Sequence, residues 1–514
     1  MTPTHVAAAA GTPVGGPPAD HQGAHGASAG PGAIAVPGTA GAAMAGSPAV
    51  RRAIDMLVAE VAAASAKVTD ARGPVSAEGR QRYEQMMAQA AEVRGRALLY
   101  PYLGSGVGNG PLVELADGSV KWDMISGIGV HFLGHSDPGL VRAGLEGALT
   151  DVVQEGNLQA NDDAYQFGRR LVGLARRSSR LAHVYPSTSG AMANENALKV
   201  CYQKHAPASR VIAFKDCFMG RSVTMSQIGD SAANRVGVPL STLVDYMPFY
   251  DEAAARRVGA TRYIDMCVWH LRQYVERYPG QHACFIFELV QGEGGFNTAP
   301  REFFTALIDV CRAHKIAVWD DEIQTFGRTT SMFAYEALGL GEFVDVFCVG
   351  KMTQACATMF TPEYNPGPGL LSGTFISGPT QFRAGIEVLG RLAENEAAYY
   401  GPDGSFARHH ALFVEQVRAL AARRPGWFGH SSAWGQLPDI VGGTGGMMKF
   451  TPFGGDKDRV TRACRAMFDA GVIAFYCGHG PYHVRMLPPM PAMRPEMWPK
   501  VFRCVEEGLA AVAG

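Results

Sequence analysis

A repeating alternation in the middle of this chain constrains its fold more than any other feature. Between about residues 139 and 392, short apolar runs rich in β-branched and aromatic residues alternate with segments of helix length. The runs fall at 210–214, 283–288, 316–319 and 344–349. Runs that are apolar at every position have no face suited to water. They predict strands of a mostly parallel sheet wrapped by helices, an α/β architecture. In open sheets of this kind, ligands bind beyond the carboxyl ends of the strands. Polar residues with chemical potential follow each run directly. Phe218 and Arg221 come after the first, and Glu288, with Gln291 and Glu293, closes the second. Asp321 and Gln324 follow the third, and Lys351 the fourth. Four strand ends therefore bring a ring, a guanidinium, carboxylates and an amine to one edge of a sheet.

Each of these residues also has an ordinary reading. A lysine at a strand end is usually solvated. If desolvated by its apolar surroundings, however, it loses charge and suits imine chemistry. Asp320-Asp321-Glu322 could cap a helix, bind a metal, or hold a heterocyclic ring nitrogen protonated. The turn Ser187-Thr-Ser-Gly-Ala-Met-Ala-Asn-Glu195 opens a helix-like stretch. Its free backbone N–H groups suit a phosphate, although any capped helix start looks similar. The glycine-rich Gly104-Ser-Gly-Val-Gly-Asn-Gly110 segment leads into a hairpin signal at Asp117-Gly118, not into a helix, so it lacks the context of a dinucleotide loop.

The remaining segments set domain expectations. Of the first fifty residues, 15 are Ala, 10 Gly and 7 Pro, with no Lys, Arg, Phe, Trp or Tyr. Such a segment buries too little apolar area to offset its ordering entropy and is expected to be a disordered tail, 1–50. Residues 51–138 hold amphipathic helices and the hairpin, 139–394 the large domain, and 395–514 a smaller α+β domain. The net charge of −1 lacks the basic footprint of a nucleic-acid or membrane-surface protein. No run of about 18 apolar residues predicts a membrane span. Ten dispersed cysteines without CxxC pairs read as reduced thiols of a cytoplasmic protein. His409, His410 and His430 lack the spacing of a ligand motif, so no metal is expected.

Several stretches, in order, resemble the class III (ω-amino acid) aminotransferases, pyridoxal-phosphate enzymes of fold type I. Ser126-Gly-Ile-Gly-Val-His-Phe-Leu-Gly-His-Ser-Asp-Pro138 is similar to the family's segment ending Leu-Gly-His-x-x-Pro. Ser189-Gly-Ala-Met-Ala-Asn-Glu195 resembles its phosphate turn, and Phe218-Met-Gly-Arg221 its Phe-His-Gly-Arg. The two longest matches are Glu288-Leu-Val-Gln-Gly-Glu-Gly-Gly295 and Asp321-Glu-Ile-Gln-Thr-Phe-Gly-Arg-Thr329.

The resemblance implies roles position by position. Lys351 is the lysine that forms the imine with pyridoxal 5'-phosphate and then moves the proton. Asp321 pairs with the ring nitrogen, Gln324 lies near the phenolic oxygen, and Phe218 stacks on the ring. Ser189, Gly190 and Ala191 hold the phosphate, and Thr374 reaches the phosphate of a neighbouring subunit, which implies a homodimer with shared sites. Arg221, Glu288, Glu293 and Arg485 are the substrate-binding set. Arg485, in Val484-Arg-Met-Leu-Pro-Pro489, takes an α-carboxylate, and Glu293 masks it while an ω-amine donor reacts. The small-molecule partners implied are that amino donor and a 2-oxo acid such as 2-oxoglutarate. Met219 for His, Leu289 for Pro, and Met-Thr-Gln-Ala-Cys356 after Lys351 depart from the common pattern. The last of these resembles the lysine 6-aminotransferase and 4-aminobutyrate aminotransferase branches, as does Asn194-Glu-Asn-Ala-Leu-Lys199. An aminomutase on the same cofactor, or a non-catalytic scaffold, are the alternative readings.

Overall fold

Seven strands form the central sheet of the computed structural model, which describes residues 38–429, 431–432, 435–436 and 439–513. In chain order they are β1 (His183–Ser187), β2 (Arg210–Phe214), β3 (Leu243–Met247), β4 (His282–Phe287), β5 (Ala317–Glu322), β6 (Val346–Val349) and β7 (Cys356–Phe360). Their spatial order is β1-β7-β6-β5-β4-β2-β3. All pairings are parallel except those of β7, which runs against both β6 and β1. The fold is therefore α/β with a parallel-dominated sheet, as the apolar runs predict. Every residue of β4, β5 and β6 is buried, the consequence of helices on both faces.

The four apolar runs became β2, β4, β5 and β6, with bounds within two residues except that β5 continues three residues further, to Glu322. The other three strands carried weaker signals. β1 contains Pro186 and is only half-buried, β3 is an edge strand, and β7 follows Lys351 too closely to stand out as a separate run. Behind β2 and β4 the core is aromatic. Phe214 lies 4.9 Å from Phe285 and 5.6 Å from Phe303, ring centre to ring centre. Full burial of each such ring is worth roughly 1.5–3 kcal/mol.

A second sheet consists of β8 (Val441–Thr444), β9 (Met447–Phe450), β10 (Phe475–Cys477) and β11 (His483–Met486), ordered β8-β9-β11-β10 and antiparallel throughout. The Asp117-Gly118 hairpin is present, with Leu112 opposite Trp122. Its second strand pairs in parallel with Val472–Ile473. The N-terminal hairpin and the C-terminal segment thus share one layer, although the sequence treats them as separate zones.

The expected disordered tail needs one correction. Ala40–Gly46 and the start of Pro48–Ser65 are helical. Thr39 caps the first with its hydroxyl, alanine favours helix, and Pro48 sits at the first turn, where its missing N–H costs nothing. The rest of that expectation, residues 1–37, lies outside the described residues, as does His430. His409 accepts a hydrogen bond from Trp498 Nε1 at 3.0 Å, and His410 bonds Gly445 O at 2.9 Å, so both imidazoles are engaged in packing. Among the described residues no helix is long and apolar enough to cross a membrane.

Candidate active site

Lys351 follows β6 through Gly350, where the chain turns sharply. Lys351 has φ +51°, in the left-handed region. A Cβ on Gly350 would sit 2.7 Å from Cys356 Sγ and 3.0 Å from Ile323 Cδ1, so only glycine lets the strand end this close to its neighbours. Burial is the largest influence on the ammonium and lowers its pKa. Arg485 and Arg328 push the same way, while Glu293 and Asp321 oppose them. An amine kept below its ordinary pKa is the more nucleophilic for it.

One strand away, Asp321 ends β5, buried. Its Oδ1 accepts the Ile323 N–H at 2.9 Å, and its Oδ2 accepts from Asn194 Nδ2 at 2.7 Å. Burial pushes its pKa up to about 6, against those two hydrogen bonds and the Lys351 charge. A cation placed against this carboxylate would recover that cost. Asn194 also donates to Met219 O at 2.8 Å, so one amide fixes both the acid and the loop carrying Phe218.

Asn194 lies in the helix Gly190–Lys204, whose start is capped by Ser189 Oγ accepting the Met192 N–H at 3.2 Å. The Phe218–Arg221 loop is tied to this helix again through Ser222 Oγ, which donates to Glu195 Oε1 at 2.6 Å. Gly220, at φ +127°, leaves no room for a side chain, since a Cβ there would lie 2.7 Å from that of Ala191. Arg221 is exposed, its guanidinium 5.6 Å from the Phe218 ring centre.

Glu293 and Arg485 are joined directly, with Arg485 Nη2 donating to Glu293 Oε1 at 2.7 Å. Arg485 is fully buried, flanked by the Phe475 and Phe296 rings at 5.3 and 5.9 Å. Burial would raise the Glu293 pKa, but the Arg485 charge holds it below its ordinary value. The carboxyl oxygens of Glu288 accept backbone N–H groups, Phe218 at 3.1 Å and Gly292 at 2.9 Å. These bonds tie the ring loop to the Glu293 loop. Thr374 lies on an exposed segment beside Phe375.

Two residues missed in the sequence belong to this site. Asn194 was in a matched stretch but had no assigned role. Arg328 is buried and pushed down to about 9 by desolvation, with no carboxylate partner among the described residues. It donates to Gly129 O, bracing the turn at Ser126–Gly129. Both lie inside the two motifs already quoted, and only their neighbours in space reveal what they do.

Burial and charge push Glu288 up to about 8, chiefly through desolvation and then Asp321. Between the ordinary carboxyl range and pH 8 the folded chain therefore keeps a proton that the unfolded chain has lost. Stability falls with rising pH at up to about 1.4 kcal/mol per unit from this group and levels off above pH 8. Urea melts of the cofactor-free protein between pH 6.5 and 8 should show this decline, and Glu288→Gln should be flatter by that slope.

Among the buried polar atoms of the described residues that lack a hydrogen-bond partner, several cluster here: Asn194 Oδ1, Gln324 Oε1, and Nε and Nη1 of Arg485. Native chains seldom leave such atoms orphaned. Together with a desolvated amine, a buried acid and a capped helix start, they form a donor and acceptor set fitting a phosphorylated pyridine aldehyde and a carboxylate substrate.

Residues 105–494 match the family described as Aminotransferase class-III, and the chain belongs to that enzyme family. It is 29% identical over 324 residues to the acetylornithine aminotransferase of Corynebacterium efficiens, covering 61% of this chain and 74% of that one. The acetylornithine aminotransferase of Bacillus subtilis is 32% identical over 244 residues, 47% of this chain and 57% of its own length. In three dimensions the chain is similar to the lysine aminotransferase from M. tuberculosis, with TM-score 0.69 and 21% identity over 83% of this chain and 99% of that one. That similarity shows the same fold, the fold type I architecture.

Proposed function

We propose that this enzyme moves the ω-amino group of a diamino or ω-amino acid to a 2-oxo acid such as 2-oxoglutarate. The observation that carries the reading is the Glu293–Arg485 pair, a buried guanidinium masked by a carboxylate that can swing away. With the mask on, Arg485 is neutralised, and a donor presents its distal amine without its α-carboxylate being captured. With the mask off, the guanidinium fork matches an α-carboxylate, as a 2-oxo acid requires.

Pyridoxal 5'-phosphate, the family's cofactor, supplies an electron sink that acidifies the C–H bond beside the amine. The N–H groups at Ser189, Gly190 and Ala191 receive its phosphate at the positive end of the helix. Asp321 holds the ring nitrogen's proton, Gln324 meets the phenolic oxygen, and the Phe218 ring covers one face. Lys351 Nζ would be the amine that holds the cofactor's aldehyde carbon, and its buried, pKa-lowered nitrogen is the base that would carry the proton during transfer. Arg221, exposed at the rim, takes a distal carboxylate. Thr374 acts across a homodimer interface on the phosphate of the other subunit, which the exposure of Phe375 (56%) beside it supports. We also read the chain as cytoplasmic, supported by ten free thiols. Residues 139–394 form the cofactor-holding unit, and the β8–β11 sheet supports a smaller unit at 395–514.

The test is amino transfer to 2-oxoglutarate from lysine, ornithine, N-acetylornithine and 4-aminobutyrate. At least one should give stoichiometric glutamate, and glutamate formation from none of them, with the cofactor bound, overturns the proposal. In Glu293→Gln the mask is weakened, so the ratio of ω-donor to α-amino donor rates should fall at least tenfold, read from single-turnover absorbance changes.

A further inference from the structure

The loop Gln291–Asn297 carries Glu293, and the second sheet grips it with two side chains. β9 and β11 are neighbours, with Lys449 opposite Arg485 in register. Arg485 reaches Glu293 at 2.7 Å, and Lys449 Nζ donates to Asn297 Oδ1 at 3.3 Å, four residues further along. Among the described residues these are the two side-chain hydrogen bonds from the sheet to that loop. A backbone bond adds to them, with the Gly478 N–H donating to Glu293 O at 2.8 Å. Asn297 in turn donates to Gln291 Oε1 at 3.1 Å and Gly294 O at 3.0 Å, closing the loop on itself.

Lys449 is an odd choice for structure alone. It is half-buried, its stem lies 3.1 Å from the Cβ position of Gly442, and its ammonium pairs with a neutral amide. Among the described residues no carboxylate forms a salt bridge with it, and Glu252 acts on it only through longer-range charge. Removing a charge from water without a carboxylate partner costs stability that an apolar side chain at the same place would not. Nearby His483 is kept neutral by burial and by this ammonium, and Thr451 Oγ1 bonds its ring at 2.7 Å.

We propose that Lys449 is a positioning residue that latches the Glu293 loop through Asn297 when Arg485 is occupied by the 2-oxo acid. This inference rests on the masking role of Glu293 given above. While the donor reacts, the Glu293–Arg485 pair itself holds the loop, and the Lys449 bond is redundant. When the acceptor takes Arg485, that pair is broken. The Gly478 bond then pins the backbone at residue 293, and Lys449 pins it at 297. Only the Glu293 side chain is left free to swing, so the guanidinium stays in its place and the loop does not collapse into the acceptor's space.

Lys449→Met and Lys449→Arg test the latch in the full chain. In the parent background Lys449→Met should leave hydrogen exchange of the 291–297 amides within about threefold, because the Glu293–Arg485 pair still holds the loop. With that pair removed by Glu293→Ala, adding Lys449→Met should speed the exchange at least tenfold over Glu293→Ala alone. In Lys449→Met alone the donor single turnover should stay within twofold, while KM for the 2-oxo acid rises about tenfold and kcat changes less. Lys449→Arg should restore both readouts to within about threefold of the protein with Lys449 in the same background. Exchange in Glu293→Ala/Lys449→Met no faster than in Glu293→Ala, or an equal loss in both half-reactions of Lys449→Met, overturns the latch. Absence of amino transfer in the parent protein instead counts against the proposed function, and the exchange measurement then still decides for or against the latch.

Discussion

Lys351→Ala should yield a folded protein that lacks the visible absorbance of bound cofactor and turns over at least about 10⁴-fold more slowly. The expectation combines two losses. Acid–base catalysis by a positioned side chain is worth 10²–10⁴ by itself, and the covalent anchor disappears with the same atom. Folding should survive, because burial already lowers the ammonium's pKa and the native state therefore carries a cost at this position. The thermal midpoint of the cofactor-free variant should match or exceed that of the parent. An added small primary amine should recover part of the rate, since Asp321, Asn194 and the Glu293–Arg485 pair remain in place. A variant that keeps both the absorbance and full turnover would remove Lys351 from the chemistry.

Asp321→Asn carries the second largest effect, a loss of about 10²–10⁴-fold in turnover together with weaker cofactor retention. The parent carboxylate accepts from the Asn194 amide and the Ile323 N–H and is pushed up to about 6 in their company. A cationic ring nitrogen beside it lowers that pKa again, and the charge pair lies in a water-poor site where it is strong. An asparagine can accept the same two hydrogen bonds through its carbonyl oxygen only in part, and it cannot hold a proton on the ring. The sign of the pH response follows. Cofactor retention in the parent should fall as pH drops through about 6, where the acid takes up a proton, and the asparagine variant should show no such inflection. Equilibrium dialysis against free cofactor between pH 5 and 8 reads both. A variant that transfers amino groups at the parent rate would show that another group protonates the ring.

Much of the site was legible in the chain because chemistry follows strand ends in this architecture. Glu288, Asp321 and Lys351 each stand at or just past an apolar run, and those runs are visible as uninterrupted hydrophobic residues in one dimension. Ser189 was legible for a related reason, since a helix start needs a capping hydroxyl whatever surrounds it. What was not legible were the roles that depend on a partner far away in sequence. Asn194 is 127 residues from Asp321, and Lys449 is 152 from Asn297. Glu288 entered the substrate-binding set through the family resemblance, which says nothing of its hydrogen bonds. Its backbone partners at 218 and 292 are set by how two loops meet, which no local pattern records.

The sequence alone determined the parallel-dominated sheet, the edge at which the reactive side chains gather, and the amine and acid at its centre, because periodicity and strand-end polarity are properties of neighbours along the chain. Tertiary structure alone decided that Asn194 orients the buried acid, that Arg328 lies buried with no described carboxylate paired to it, and that a lysine on one sheet bonds a loop beyond another. Those are properties of burial and of distances across the fold, and desolvation acts on a group only once the rest of the chain has closed around it.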